Sequence, residues 1–367
     1  MARRCAGPLS SNWRRVFQPN VINVRYLLPA EVTKYEHFKT QKYRTEEKLF
    51  GEIDTFHKAM DKKVKRDDVI FTDELKVMLH TCNSAEDAEL AIQIMKMYHS
   101  KIRNAPFQQF RFGSIVMRMF HNLQLCDKML DLLKDKELQG FFSDSTSFIL
   151  AMDAYFESEQ YNKVLEVYKE MELQNIMKLK DAYTLTLAAC YRLNTTESYD
   201  LSQTILEECQ IRDKGMTRLG YNFAAALAIN QNNAERALTI LSFVRNADHE
   251  ICRSLQVIGL TMLERYTEAF QSLQSIYNRD VPVFVQKWKI CQEALDALRS
   301  KVQENDEISS EFEEIYRCLE TGEHICTETI ENLLCAIPVV KMKKFNFDNR
   351  SNRRKSFKRV SPSLMEE

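Results

Sequence analysis

The stretch STSFILAMDAYFESEQYNKVLEVYKEMELQNIMKL, residues 145–179, decides the fold. Phe148 opens one helical pattern. Val164, Leu165 and Tyr168 share the inward face of a second pattern, which Glu170-Met171 closes. The same landmarks return about every 35 residues through the middle of the chain, a period that marks a solenoid of stacked helical hairpins. No single hairpin of this kind can bury its apolar face, so neighbours must stack. The expected fold is all-α, an α-solenoid.

Working outward, the first hairpin places Leu75, Met78 and Leu79 on one helix and Ala88, Ala91, Ile92 and Met95 on the next, with Ser84 to Asp87 as a cap. The second runs from about Gln109 to Asp144, with Gly140 as a left-handed cap. The fourth begins near Lys180 and has an expected cap at Asn194; the fifth begins at Arg218 with a cap at Asn232. Leu255, Ile258, Met262, Ala269 and Phe270 outline a sixth. Ala91, Ala237 and Ala269 occupy equivalent positions, where short side chains let helices approach closely. No proline falls between Pro106 and Pro282 to interrupt them.

These units divide the chain into residues 1–26, a targeting segment; 27–71, an N-terminal helical segment over about Tyr35 to Asp68; 72–279, about six degenerate hairpins with the best copy at 145–179; 280–337, a helical cap over Val281–Val302, Glu307–Leu319 and Thr327–Leu334; and 338–367, a basic disordered tail.

The net charge of -1 hides a partition. Residues 1–30 hold five arginines and no acid, and residues 341–360 hold nine basic residues against Asp348, so the body between them is acidic. Nucleic acid would have to meet a local basic face or the tail. The arginine-rich start has the composition of a mitochondrial presequence cleaved near Tyr26, with a basic disordered arm as the alternative. No apolar run approaches the ~18 residues of a membrane span. The ten cysteines stand singly, which fits a reducing compartment.

Signals for catalysis are weak. A glycine-rich phosphate loop is absent, and the acids at 304–307 and 311–314 read as a solvated helix face. Cys318, His324, Cys326 and Cys335 lack the tight pairs of a zinc site. The expectation is a non-enzyme without metal or cofactor. In the tail, Lys343, Lys344, Arg353, Arg354, Lys355, Lys358 and Arg359 alternate with Phe345, Phe347 and Phe357, combining phosphate neutralisation with rings that stack on unpaired bases.

The period, the aromatic fourth position of the copy at 145, and Met171 at its twenty-seventh position resemble the pentatricopeptide repeat. The arginine-rich start, the block 140–148 and the tail over 361–364 sharpen this into a resemblance to a mitochondrial member of that family. It implies a matrix protein bound to single-stranded mitochondrial RNA, to RNA-processing factors or to ribosomal proteins, acting in transcript maturation and through it in the respiratory chain. A protein scaffold without direct RNA binding is the alternative. In RNA-reading members the fifth and last residues of each repeat contact one base. Carried over, the fifth residues are Gly113, Ile149, Thr184, Asn222 and Ser254, and the last are Asp144 and Leu179. Ile149 and Leu179 are apolar, so polar contact would fall to Gly113, Asp144, Thr184, Asn222 and Ser254. A Thr or Asn near a helix start also serves as a surface or capping residue.

Overall fold

A computed structural model describes residues 27–102, 110–211, 215–245, 247–278, 287–303 and 306–335. The hairpins form as antiparallel pairs of an inner helix A and an outer helix B. They are α4 (Thr72–Thr81) with α5 (Ala85–Ile102), α6 (Gly113–Asn122) with α7 (Asp127–Lys134), α8 (Ser145–Glu157) with α9 (Tyr161–Leu173), α10 (Lys180–Leu193) with α11 (Thr196–Ile211), α12 (Arg218–Asn230) with α13 (Ala234–Ser242), and α14 (Glu250–Met262) with α15 (Tyr266–Tyr277). The A helices pack in sequence, α6 on α8, α8 on α10, α10 on α12 and α12 on α14. Their middles are enclosed on all sides: Phe148 to Phe156 and Ala182 to Cys190 are buried without a break. Ala91, Ala237 and Ala269 are wholly buried, as close stacking of helices requires.

One turn recurs between A and B helices. Gln124, Glu159, Asn232 and Glu264 take left-handed φ of 57, 59, 57 and 57°. In each case the next backbone N–H reaches back to the helix, as in Leu125 to Phe120, Gln160 to Tyr155, Asn233 to Ala228 and Arg265 to Leu260, at 2.8–3.0 Å. This geometry satisfies carbonyls that the helix end would leave bare. It also relocates two expected caps. Asn194 and Asn232 are the left-handed residues that end α10 and α12, because Asn tolerates that conformation. Reciprocal Thr195 and Ser198 bonds cap α11, and Asn233 caps α13 by accepting from the Arg236 N–H.

Both ends of the stack contain more hairpin than expected. The segment before residue 72 is two helices, α2 (Tyr35–Lys48) and α3 (Ile53–Arg66), behind the short α1 (Ala30–Thr33); Phe50 and Gly51, at φ 49 and 85°, turn the chain between them. α2 packs on α4 and α6, and α3 packs on α5, which extends the repeat stacking. At the other end, Val281–Val302 is not one helix. Residues 290–291 form strand β1, paired in parallel with β2 (Ile325–Cys326), and α16 starts only at Gln292 and ends at Val302. α16 packs on α14, and α17 (Asp306–Thr321) packs on α15, so the pair stacks as a further hairpin. α18 spans Ile330–Leu334, later than expected because Thr329 is its cap.

The apolar interior runs from Leu27 through Leu255, and a second cluster joins Val257 and Leu260 to Leu298, Phe312 and Leu319. Within the best copy Val164, Val167 and Tyr168 are buried, whereas Leu165 is only partly so. Among the described residues no helix is long and apolar enough to cross a membrane.

Candidate RNA-contact surface

The fifth residues of the A helices, which the repeat code assigns to bases, are used inside the protein. Thr184, Asn222 and Ser254 are fifth in α10, α12 and α14, and they are 3%, 1% and 0% exposed. Each meets the start of the next A helix. Thr184 Oγ1 lies 2.6 Å from Oγ1 of Thr217, the cap of α12. Asn222 Oδ1 accepts from Cys252 Sγ at 3.1 Å, near the start of α14. Ser254 Oγ accepts from the backbone N–H of Cys291, the residue preceding α16, at 3.0 Å. Asn222 Nδ2 is buried and finds no partner among the described residues.

Gly113 and Asp144 belong to the same kind of joint. Gly113 is the first residue of α6, not its fifth, because A helices open at residues 113, 145, 180, 218 and 250 rather than at even intervals. Asp144 caps α8, accepting from the Ser147 N–H at 3.1 Å and from its hydroxyl at 2.7 Å. A Cβ on Gly113 would stand 2.1 Å from Ser147 Oγ and 2.8 Å from Asp144 Oδ1. The structure therefore brings Gly113 and Asp144 together, and sets Thr184, Asn222 and Ser254 each against a different residue of the next repeat, Thr217, Cys252 and Cys291. Base contact at Thr184, Asn222 or Ser254 would require the A helices to separate. Lys343, Lys344, Arg353, Arg354, Lys355, Lys358 and Arg359, like residues 1–26 with their expected targeting role, lie outside the described residues.

A different surface gathers positive charge. A hollow of about 570 Å³ opens between α2, α4, α6 and the first turn of α8. Lys34, His37, Lys76, His80 and Arg118 line it, with Gln41, Thr45, Ser114, Thr146 and the ring of Phe110; among the described residues that line it there is no carboxylate. Arg118 Nε donates to Thr33 O at 2.6 Å, which fixes the guanidinium at the wall. Burial lowers the Arg118 pKa from its ordinary value, though an arginine stays charged. Lys76 Nζ sits 4.2 Å from the Phe110 ring centre and 3.2 Å from the exposed carboxylate of Asp73. Burial holds His80 below the usual imidazole range, so it is neutral at pH 7. Its Nδ1 then donates to Lys76 O at 2.7 Å, leaving Nε2 an acceptor. Sequence reading missed this cluster because its members come from four elements with no common motif.

Beside the hollow, Tyr35 stacks on His121 with ring centres 3.8 Å apart and donates to Asp153 Oδ2 at 3.4 Å. Asp153 is 1% exposed, and burial followed by the nearby Glu157 charge pushes its pKa well up. Burial pushes the Cys82 and Cys190 thiols up to about 12. His324 Nδ1 donates to Trp288 O, and Cys335 Sγ accepts from Arg192. Among the described residues no group of three or more His, Cys, Asp or Glu could hold a metal ion.

Stacked A and B helices with degenerate 35-residue landmarks define a helical-hairpin repeat protein of the pentatricopeptide kind. A family model, mitochondrial 28S ribosomal protein S27, matches residues 1–359, and the chain belongs to that family. It is 33% identical over 311 residues to pentatricopeptide repeat-containing protein 2, mitochondrial, of Xenopus laevis, covering 85% of this chain and 81% of the relative. The human protein of the same name is 31% identical over 344 residues, 94% of this chain and 89% of the relative. That of Danio rerio is 34% identical over 314 residues, 86% and 82%. The chain is thus a mitochondrial pentatricopeptide repeat protein, with a role connected to RNA or the ribosome.

Proposed function

We propose that this chain is a non-enzymatic RNA-associated protein of the mitochondrial matrix, acting in maturation of mitochondrial messenger RNA and so in respiratory-chain function. It holds RNA through charge and stacking, without reading one base per repeat. The observation that carries this is the burial of Thr184, Asn222 and Ser254 at the inter-repeat joints of a chain whose relatives are pentatricopeptide repeat proteins. With the code positions enclosed, contact falls to the surface cations. Crosslinking in intact mitochondria, followed by sequencing of attached RNA, tests the reading. Recovered fragments should share transcript regions without a strict motif; the absence of attached RNA would defeat it.

A second reading is favoured by the match to a ribosomal protein family over nearly the whole chain. In it the acidic body is a scaffold seated on the small ribosomal subunit without direct RNA contact. Cosedimentation with that subunit that survives ribonuclease trimming of exposed RNA, together with no crosslinked RNA, would select it.

A further inference from the structure

We propose that the hollow between α2, α4, α6 and the start of α8 binds single-stranded RNA, with Lys34 and Arg118 holding a phosphate and the Phe110 ring stacking on a base. The inference rests on the RNA-associated reading and gives it a site. The lining is the first support. Cations from α1–α2, α4 and α6 converge on one concavity with no carboxylate among its described lining residues, Asp73 pairing with Lys76 outside it, in a body that is otherwise acidic. Such a concavity concentrates the field of its charges on an anion inside it.

The geometry fits a nucleotide better than a free anion. A guanidinium carries five N–H donors in a rigid fork, so pinning Nε on Thr33 presents the rest in a fixed orientation suited to phosphate. Lys34 stands exposed at the rim, where the chain passes from α1 to α2 at φ 52°. Phe110 is 43% exposed at the mouth and leans edge-on against Phe112, with ring centres 4.8 Å apart. Lys76 lies over one face of that ring, and a base stacking on Phe110 would take the opposite face or displace the ammonium toward its own phosphate. His80 Nε2 and the side chains of Gln41, Ser114 and Thr146 offer acceptors and donors to a base edge or a ribose hydroxyl. A volume of about 570 Å³ lies within the range of small-ligand sites and admits one nucleotide of a strand that continues past the mouth. An acidic peptide would satisfy the cations but would leave the ring platform unused.

The test uses the full chain and a labelled mixed-sequence single-stranded RNA at physiological salt. Ultraviolet crosslinking followed by peptide mass spectrometry should place a nucleotide on the peptide carrying Phe110. Phe110→Ala should weaken binding ~5- to 100-fold through loss of one stacked base. Lys34→Glu, at an exposed residue outside the core, should melt like the parent and reduce the salt slope by about 0.7. Binding by the parent with crosslinks elsewhere and both variants unchanged would overturn the site while leaving the RNA reading intact. Failure of the parent to bind any RNA at low salt would overturn both. Displacement of the RNA by a poly-glutamate peptide but not by a mononucleotide would show a protein-docking site instead.

Discussion

The Thr184 hydroxyl lies 2.6 Å from that of Thr217, joining the inner face of one A helix to the cap of the next. Thr184 also donates to Lys180 O, and Thr217 accepts from the Gly220 N–H, so the two hydroxyls continue a chain of bonds across the repeat boundary. Thr184→Val keeps the shape and removes both bonds of this hydroxyl, to Lys180 O and to Thr217. The expected loss is about 1 kcal/mol in urea unfolding, with RNA sequence preference unchanged. A changed preference would mean that this residue reads a base after all.

Gly113→Ala should be costlier than its size implies. The new methyl would strike the Asp144 and Ser147 cap of α8, forcing α6 and α8 apart or breaking the cap, at about 1–3 kcal/mol. Adding Ser147→Ala removes the nearest atom and should recover part of the loss in a double-mutant cycle.

Asp153 makes stability depend on pH. Its folded pKa is raised by burial, so the native state holds its proton more tightly than the unfolded chain, whose value is about 3.9. Its contribution is therefore fully present below about pH 4 and is lost as pH rises through the folded value. Asp153→Asn cannot ionise and can still accept from Tyr35. The variant should melt above the parent at neutral pH, and the gap should close on acidification; a gap constant with pH would contradict the buried-acid account.

The basic tail should add affinity that is lost with salt. With slopes near -0.7 per phosphate on single strands, four contacts would lose about 50-fold affinity between 50 and 200 mM salt. Deleting residues 341–367 should flatten that dependence in RNA titrations. Binding unaffected by the deletion would move all contact into the described body.

The repeating hairpin was legible in the sequence because its causes are local. Apolar residues at helical spacing, a long interval without proline and small residues at Ala91, Ala237 and Ala269 force helices that must stack, and the observed core contains those positions. The turns were less legible. Gln124, Glu159 and Glu264 adopt the same left-handed geometry as Asn232, and nothing in a Gln or Glu announces it; the reach of the next N–H back to the helix imposes it. The extra hairpins at α2–α3 and α16–α17 were obscured by polar outer faces.

What the sequence by itself determined is therefore the class: an all-helical stack of hairpins with cationic ends. Only the tertiary structure decided where its polar inner residues go. Whether Thr184, Asn222 and Ser254 face a ligand or the next helix depends on the pitch of the stack, which is the sum of small rotations between neighbouring units and is not written in any one of them. The pitch here brings each fifth residue onto the following helix start and lets Tyr35 reach Asp153. The same curvature gathers Lys34, Lys76, Phe110 and Arg118, distant in sequence, around one hollow, because a concave surface is a property of packed helices and not of the residues taken singly.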